Sequence, residues 1–567
     1  MIPQSNATVA EQFEETADLL ALTNANPFRI RAYQNAARTI RSLETPLPTL
    51  MTEPNFHLDD LPGIGRDLAS KVTEILDKGS FRTLEALRST IPTGMRELMQ
   101  VPGLGPKKTM LLHSKRGINS LQDLELAIKT GQLRDLKGFG QKSIASLARA
   151  LAQKGLSSGR MLVDEADDLA TNILLHLSKL PDIEVVVAGS LRRGLETVGD
   201  LDFVATGQSA PKVFDHLKKF DTQATILSAG STRMSLRLKS GRQIDIRVIN
   251  KASFGSALLY FTGSKSHNIE LRRLAQAQNL KLSEYGLFDQ GKRIAGASED
   301  EIYQALGLAS IPPELREGRG EVSLAAKDQL PSLVNAKDIL GDFHLHTTAT
   351  DGVNTIREMA HKAQELGYAY IAITDHSERV RIAHGLSRER LARQWAEIDK
   401  IATEFPTLRI LKGIEVDILD DGAMDLSKDF LKAADWVVAA VHYGRNQSRA
   451  TMTKRIIRAI SSGVVHALAH PSGRLLTKRP ELSFDLNEIT KAACDYHTAL
   501  EINGQPQRLD LNDKMIEIAA RHPVEFVLAT DSHSVAEFDF MKFALKQARR
   551  GGLSKDRIVN CRPFGAH

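Results

Sequence analysis

The chain has 567 residues, 42% hydrophobic and 25% charged, with a net charge of +5, and single cores rarely grow beyond roughly 250–300 residues, so several globular domains are expected. Only Cys494 and Cys561 occur, which excludes a disulfide framework and a cysteine zinc site. No run approaches the ~18 apolar residues of a membrane span, and the start Met-Ile-Pro-Gln-Ser-Asn has no basic segment followed by an apolar one, so a soluble cytoplasmic protein is expected.

Residues 10–42 read as helical and include Asn26-Pro-Phe-Arg-Ile-Arg-Ala-Tyr-Gln-Asn-Ala-Ala37. Three short repeats follow: Leu61-Pro-Gly-Ile-Gly65, Val101-Pro-Gly-Leu-Gly105 and the weaker Leu136-Lys-Gly-Phe-Gly140. Each precedes an amphipathic helical pattern, as at 66–76. Gly63 and Gly65, like Gly103 and Gly105, permit a tight turn and expose N–H groups at a helix start, where a phosphate oxygen binds favourably. One Gly-X-Gly is more often an ordinary turn, so the repetition carries the reading. The spacing resembles the helix-hairpin-helix motif, which grips the DNA backbone without reading bases. A slight basic bias in the first half is too weak to establish nucleic-acid binding alone.

Ile183-Glu-Val-Val-Val-Ala-Gly-Ser190 reads as a buried strand running into a glycine turn, and 196–204 as the next strand. Side chains alternate along a strand, so Asp200 and Asp202 share one face with Leu201 opposite. Gln243-Ile-Asp-Ile-Arg-Val248 alternates too, leaving Asp245 on the polar face. Three carboxylates on adjacent strands can hold two hard cations beside substrate phosphates. A lone Asp-X-Asp is usually a solvated strand face; Gly189-Ser190, Arg193 and the third aspartate reverse that reading here. The set resembles the nucleotidyltransferase signature. That resemblance implies metal ligation by Asp200 and Asp202, and activation of an attacking 3′-hydroxyl by Asp245. It also implies triphosphate binding by Gly189, Ser190 and Arg193.

Further along comes Tyr260-Phe-Thr-Gly-Ser264, with Asn268 and Arg272 one helical turn apart on the segment after it. Alone, Tyr260 and Phe261 would read as core packing. Together with the helical front, the glycine turns and the aspartates, the string resembles a family X DNA polymerase with a DNA polymerase beta-like core. The resemblance implies that Tyr260, Phe261 and Gly263 form the nucleotide-selection segment, disfavouring a 2′-hydroxyl. Asn268 and Arg272 would contact the nascent base pair, and 256–285 would form helix, turn, helix and strand. It also implies a lyase lysine, matched by Lys71 with Tyr33. However, one further family lysine is Asp67 here and another is Arg29, and an aspartate beside the phosphate site disfavours substrate. Lys71 otherwise reads as a solvated helix residue.

Residues 312–340, rich in Pro, Gly and charge, read as a linker. Beyond them, histidines and acids stand at the ends of apolar strands: His344 and His346, then Asp351, His376, Glu415, His442 and His470, then Asp531 and His533, the last two sharing a strand face if the strand extends that far. Strands alternate with helical stretches such as 356–366 and 454–461, so a barrel-like parallel sheet is expected, its strand ends converging on one face. One buried histidine is usually a packed core residue; six strand ends of this type are not explained by packing. The pattern resembles the PHP domain. The resemblance implies nine metal ligands at His344, His346, Asp351, His376, Glu415, His442, His470, Asp531 and His533, with Glu415 bridging. Mixed imidazole and carboxylate suit Mn²⁺ or Zn²⁺ more than Mg²⁺.

The expected protein is multidomain. It has helical DNA-binding domains with helix-hairpin-helix motifs at 1–90 and 91–155, an α+β nucleotidyltransferase palm at 156–250 and a nucleotide-selection subdomain at 251–311. The linker at 312–340 leads to an α/β PHP distorted barrel at 341–567. The resemblance implies a monomeric, nucleoid-associated polymerase that fills short gaps in DNA repair, using Mg²⁺ or Mn²⁺, deoxynucleoside triphosphates and gapped or nicked duplex DNA. It implies a PHP domain holding two or three Mn²⁺ or Zn²⁺ ions and acting as 3′→5′ exonuclease, 3′-phosphodiesterase or abasic-site endonuclease. Two alternatives stay open at this point: a template-independent nucleotidyltransferase, and a DNA-end-binding platform with an inert PHP domain.

Overall fold

The structure, a computed structural model, describes residues 6–565 except 24, 44–46, 52–55, 92–94, 96–97, 100, 102–103, 120, 131, 134–135, 137–138, 141–143, 145–146, 148–159 and 477. The chain divides into two compact units, residues 1–159 and 160–567.

In the first unit the front helical region is two helices, Asn6–Leu22 and Pro27–Ser42. They break at Asn26, whose side chain accepts the Phe28 N–H ahead of a proline in the first turn. Phe13, Tyr33 and Phe81 pack ring against ring, 5.4–6.3 Å apart, in a core that runs to Met95. A second core begins at Leu98 and takes in Leu104, Leu112, Leu124 and Phe139. The repeat is real at the level of backbone: Gly65 and Gly105 have the same dihedrals (φ −84°, ψ 175°) and each immediately precedes a helix, Arg66–Lys78 and Pro106–Arg116. Gly63 sits at φ +78°, a conformation that favours glycine. Gly103, with Lys137 and Gly138 of the third copy, lies outside the described residues.

The second unit opens with a mixed five-stranded sheet. Its spatial order is Glu184–Val187, Asp200–Thr206, Gln243–Val248, Arg233–Arg237, Thr225–Ala229. Asp200–Thr206 and Gln243–Val248 run parallel with Asp202 opposite Asp245, which puts the carboxylates on neighbouring strands as the alternation predicts. Two details differ from expectation. The first strand is half-buried, not buried, and the chain then enters a helical turn, Gly189–Arg192. The stretch 196–204 is not one strand: Thr197–Val198 pairs with Met161–Leu162, and the chain joins the main sheet only at Asp200. After the sheet come the helices Phe254–Thr262 and Lys265–Ala277 and a three-stranded antiparallel sheet starting at Leu280–Ser283.

The stretch read as a linker is folded. Val322 and Ala325, on a short helix Glu321–Ala326, join the core of the preceding subdomain, and Val334 and Ile339 join the core of the following one. His267 ties it down, its ring 2.7 Å from Glu321 and 3.0 Å from the Tyr303 hydroxyl. Pro and Gly here terminate short elements that are themselves packed.

Seven parallel strands follow in sequence order: Gly341–Leu345, Tyr370–Ile373, Arg409–Asp417, Trp436–Ala440, Ala467–Leu468, Ala499–Asn503 and Phe526–Ala529. The His346 N–H donates to Ser532 O at 2.8 Å, bringing the last strand back to the first in a nearly closed barrel. Aromatics fill one end of its interior, with Phe343 stacked on Trp436 at 4.1 Å. Capped helices cover the outside. One of these begins at Arg449, earlier than the pattern at 454–461 implies, because the Ser448 side chain accepts the Thr451 N–H. Leu509 and Phe543 of the barrel also sit in the palm core, so palm and barrel share packing. No helix among the described residues is long and apolar enough to cross a membrane.

Candidate functional site

Two sites emerge in the second unit. In the palm, ligand atoms of Asp200, Asp202 and Asp245 lie within 4.8 Å of one another. Burial, then the charges of Asp200 and Asp245, pushes Asp202 up to about 7. Burial also opposes ionisation of Asp245, but hydrogen bonds from Ser235, Gln243 and Arg233 outweigh it and hold that carboxyl below the usual range. Crowded carboxylates of this kind fit divalent cations, which would relieve the repulsion that raises Asp202.

Gly189 has φ +61°, and a Cβ there would lie 2.1 Å from Asp202 Oδ2, so glycine is required for the turn to approach the aspartate. One groove of about 470 Å³ is lined by Gly189, Ser190, Arg193, Asp200, Asp202, Tyr260, Phe261, Gly263, Asn268 and Arg272. Asp245 lines an adjoining groove of about 200 Å³ with Asp200, Asp202 and Phe261. The Arg272 guanidinium lies 5.8 Å from the Tyr260 ring and that of Arg247 lies 4.3 Å from Phe261, while Asn268 Nδ2 donates to Tyr260 O at 2.7 Å. Arg160 and Lys265 line the same groove and had no motif to mark them.

In the barrel, all nine predicted positions converge. The Glu415 carboxylate is central, with His376 at 2.6 Å, His470 at 3.0 Å, His442 at 3.4 Å, His344 at 3.6 Å and His346 at 3.7 Å. Asp351 lies 3.6 Å from His376 and 3.5 Å from His533, and Asp531 lies 3.2 Å from His346. Asp531 and His533 do not share a strand face: the strand stops at Ala529 and Asp531 turns with φ +52°. They meet the site from a loop instead.

Nε2 of His344, both ring nitrogens of His346 and Oε2 of Glu415 are buried without a hydrogen-bond partner. Orphaned buried donors and acceptors of this kind fit metal ligation. Burial, then the rings of His533 and His376, pushes His346 down to about 3, leaving a neutral imidazole. Burial opposes charge on Glu415 as well, yet His376, His442 and His344 hold it well below the usual carboxylate range.

Several partners escaped the sequence reading. His344 Nδ1 lies 2.6 Å from Glu501, His442 Nδ1 lies 3.2 Å from Asp417, and Asn503 donates to Asp531 at 3.1 Å, each orienting a ligand. The signal for Glu501 was an acid inside an otherwise apolar strand, Ala499-Leu-Glu-Ile502. Arg508 lies 3.5 Å from Asp531, and Arg445 and Arg479 both meet Gly473 in the loop after His470.

In the first unit, Lys71 is not a solvated helix residue: its side chain is 13% exposed, ion-paired with Asp67 and 5.9 Å from the Tyr33 ring.

Comparison with known proteins agrees with this layout. The helix-hairpin-helix domain matches residues 4–81, the SAM-like helix-hairpin-helix tandem 95–154, the DNA polymerase beta thumb 257–317 and the PHP domain 342–505. The chain is 36% identical to the DNA polymerase/3′-5′ exonuclease PolX of Bacillus subtilis, over 97% of this chain and 96% of that protein. It is 26% identical to rat DNA polymerase lambda over 55% of this chain and 56% of that one. It is also 29% identical to the probable phosphatase YcdX of Escherichia coli over 39% of this chain and 90% of that protein. On the full-length match and its geometry, the chain belongs to the family X DNA polymerases that carry a C-terminal PHP domain.

Proposed function

We propose that the chain fills short gaps in DNA, adding deoxynucleotides to a primer 3′-hydroxyl in the palm, and removes 3′-terminal nucleotides in the barrel. The observation that carries the reading is the single groove gathering Gly189–Arg193, Asp200, Asp202 and Tyr260–Arg272 from three separate stretches of chain.

Asp200, Asp202 and Asp245 would hold Mg²⁺ or Mn²⁺ in the palm, and the nine barrel ligands two or three Mn²⁺ or Zn²⁺. Divalent cations bound at the two sites supply Lewis-acid stabilisation of the charge that builds on phosphoryl oxygens. The remaining work falls to the protein. Asp245, held ionised by Ser235, Gln243 and Arg233, is the carboxylate placed to accept the primer hydroxyl proton at Oδ. Ser190 and Arg193 orient the triphosphate, the arginine fork matching phosphate oxygens. Tyr260 and Phe261 close the sugar side of the groove, while Asn268 and Arg272 face the base pair. In the barrel, Glu501 and Asp417 fix the rings of His344 and His442, and Arg445, Arg479 and Arg508 give the substrate's phosphate backbone a cationic rim. Gly63, Gly65 and Gly105 present backbone N–H groups to DNA phosphates. A lyase step at Lys71 would first have to displace Asp67.

The test is turnover of a gapped, 3′-labelled duplex with Mg²⁺ or Mn²⁺, with and without deoxynucleoside triphosphates. Asp200→Ala should lose template-directed extension and keep 3′-shortening; His344→Ala should do the reverse. Extension that ignores the template base, or shortening that survives His344→Ala, would overturn the corresponding half.

A further inference from the structure

The last long helix of the barrel domain, Met541–Arg550, reaches the turn that carries Arg193. Arg550 is buried, and its Nη1 donates to the backbone carbonyl of Arg193 at 2.8 Å and to Glu317 Oε1 at 2.9 Å. Its Nη2 donates to Asp513 Oδ2, which also accepts from Arg319 at 2.8 Å. Arg193 in turn donates from Nε to the same Glu317 oxygen at 3.0 Å, and from Nη1 to Thr262 O. About one helical turn earlier, Gln547 donates to Gly194 O at 3.1 Å. Two arginines, one in the palm and one in the PHP domain, thus share one carboxylate oxygen, and the PHP arginine also holds the backbone of the palm one.

We propose that Arg550 is a positioning residue of the polymerase site: it braces the Gly189–Arg193 turn and keeps Glu317 paired when Arg193 leaves it for a nucleoside triphosphate. The physical reason is the cost of a buried unpaired charge. The Glu317 side chain is 17% exposed. If Arg193 were its sole partner, moving that guanidinium to a triphosphate would strand the carboxylate in a poorly solvated place. Arg550 remains on Glu317 throughout, so the transfer leaves a satisfied pair behind. Its bond to the Arg193 carbonyl keeps the side chain's anchor fixed during the move. Both contributions act on triphosphate binding, and neither touches the reacting atoms.

The inference rests on the reading of Arg193 as a triphosphate ligand. The experiment is steady-state gap filling by the full chain, with Arg550→Met, Arg550→Lys, Arg193→Lys and Lys542→Ala compared, and 3′-shortening measured on the same preparations. Lys542 pairs with Asp167 from the same helix and does not touch Arg193, so it reports on domain docking alone. Arg550→Met should raise the deoxynucleotide KM by about tenfold, the scale of a hydrogen bond to a charged group. Its kcat and 3′-shortening should stay within about twofold, since no contact to reacting atoms is lost. Arg550→Lys should recover most of the KM, and Lys542→Ala should leave it unmoved. An unchanged KM in Arg550→Met, or an equal rise in Lys542→Ala, overturns the proposal. If Arg550→Met does not fold, Arg550→Gln decides, because it removes the charge and keeps a donor: a KM equal to that of the unaltered chain overturns the proposal, and a raised KM with unmoved kcat supports it. If Arg193→Lys leaves KM unchanged, the reading of Arg193 itself fails, which is a distinct result.

Discussion

The palm and the barrel meet the same chemical demand, holding cations beside a phosphate, with opposite materials. The palm offers three carboxylates on two parallel strands lining two adjoining grooves, with Asp200 exposed. The barrel offers six histidines and three acids, eight of the nine with side chains under 30% exposed and Glu415 at their centre. An open site must admit template, primer and triphosphate together, so its ligands stay few and solvated enough to exchange ions with the substrate. The barrel site is enclosed, and the ring nitrogens of His344 and His346 and the Glu415 oxygen buried there without a hydrogen-bond partner suit cation ligation. The palm site is open to an arriving substrate, whereas the candidate ligands of the barrel already surround one another.

Four outcomes would sharpen or break this contrast, and the largest is catalytic. Asp202→Ala should cut primer extension by at least about a thousandfold, the scale of losing a group that stabilises transition-state charge, with 3′-shortening unaltered. Loss of both activities together would mean the sites are not separate. Next comes stability. His344→Ala strands Glu501 and one side of Glu415, so we expect a loss of about 3 kcal/mol or more in denaturant unfolding of residues 160–567, against little change for Asp200→Ala. Adding Mn²⁺ should raise the melting temperature of the unaltered chain but not of His344→Ala.

The third concerns the join between palm and nucleotide-selection subdomain. Glu299 accepts from Arg192 at 2.7 and 2.8 Å and from Arg316 at 2.6 Å. Burial opposes its charge, but the two arginines outweigh that and bring it from 4.5 down to about 2. A carboxyl depressed by folding stabilises the native state above its unfolded value and loses that contribution as pH falls towards the folded one. Glu299→Gln should therefore cost about 3 kcal/mol at pH 7, with the gap to the unaltered chain closing as pH drops below about 4.5. A gap independent of pH in that range would refute the assignment. The smallest effect is in the first unit. Asp67→Ala frees Lys71 Nζ, so borohydride trapping on an incised abasic duplex should rise severalfold, and Lys71→Ala should abolish it; trapping unchanged by Lys71→Ala would end the lyase reading.

Both sites were legible to different depths. Asp200, Asp202 and Asp245 declare themselves because a strand has period two, so acid at every second position among apolar residues has one face to occupy. His344, His376, Glu415, His442 and His470 do so because barrel strands end on a common face. Glu501 was harder to see, since one acid in an apolar strand has several explanations until its histidine is known, and Asp417 stood beside Glu415, which the pattern already explained. Asp531 and His533 would share a face only if their strand reached them; it stops at Ala529, Asp531 turns at positive φ, and a loop delivers both. The folded segment at 312–340 misled for a related reason: Pro, Gly and charge mark chain turns, and they cannot tell a turn that packs from one that does not.

Local chemistry, then, was written in the order of residues: glycines where backbone must approach phosphate or carboxylate, aspartates at strand period, histidines at strand ends. Those are short-range properties set by the geometry of one turn or one strand. Tertiary structure alone decided that Glu317, 124 residues beyond Arg193, would take its guanidinium, and that Arg550, 233 residues further on, would share that carboxylate. Nothing local distinguishes those three from other charged residues. A buried ion pair is specified jointly by both partners and by the packing that excludes water from them, and that packing exists only once the palm and the barrel have folded against each other.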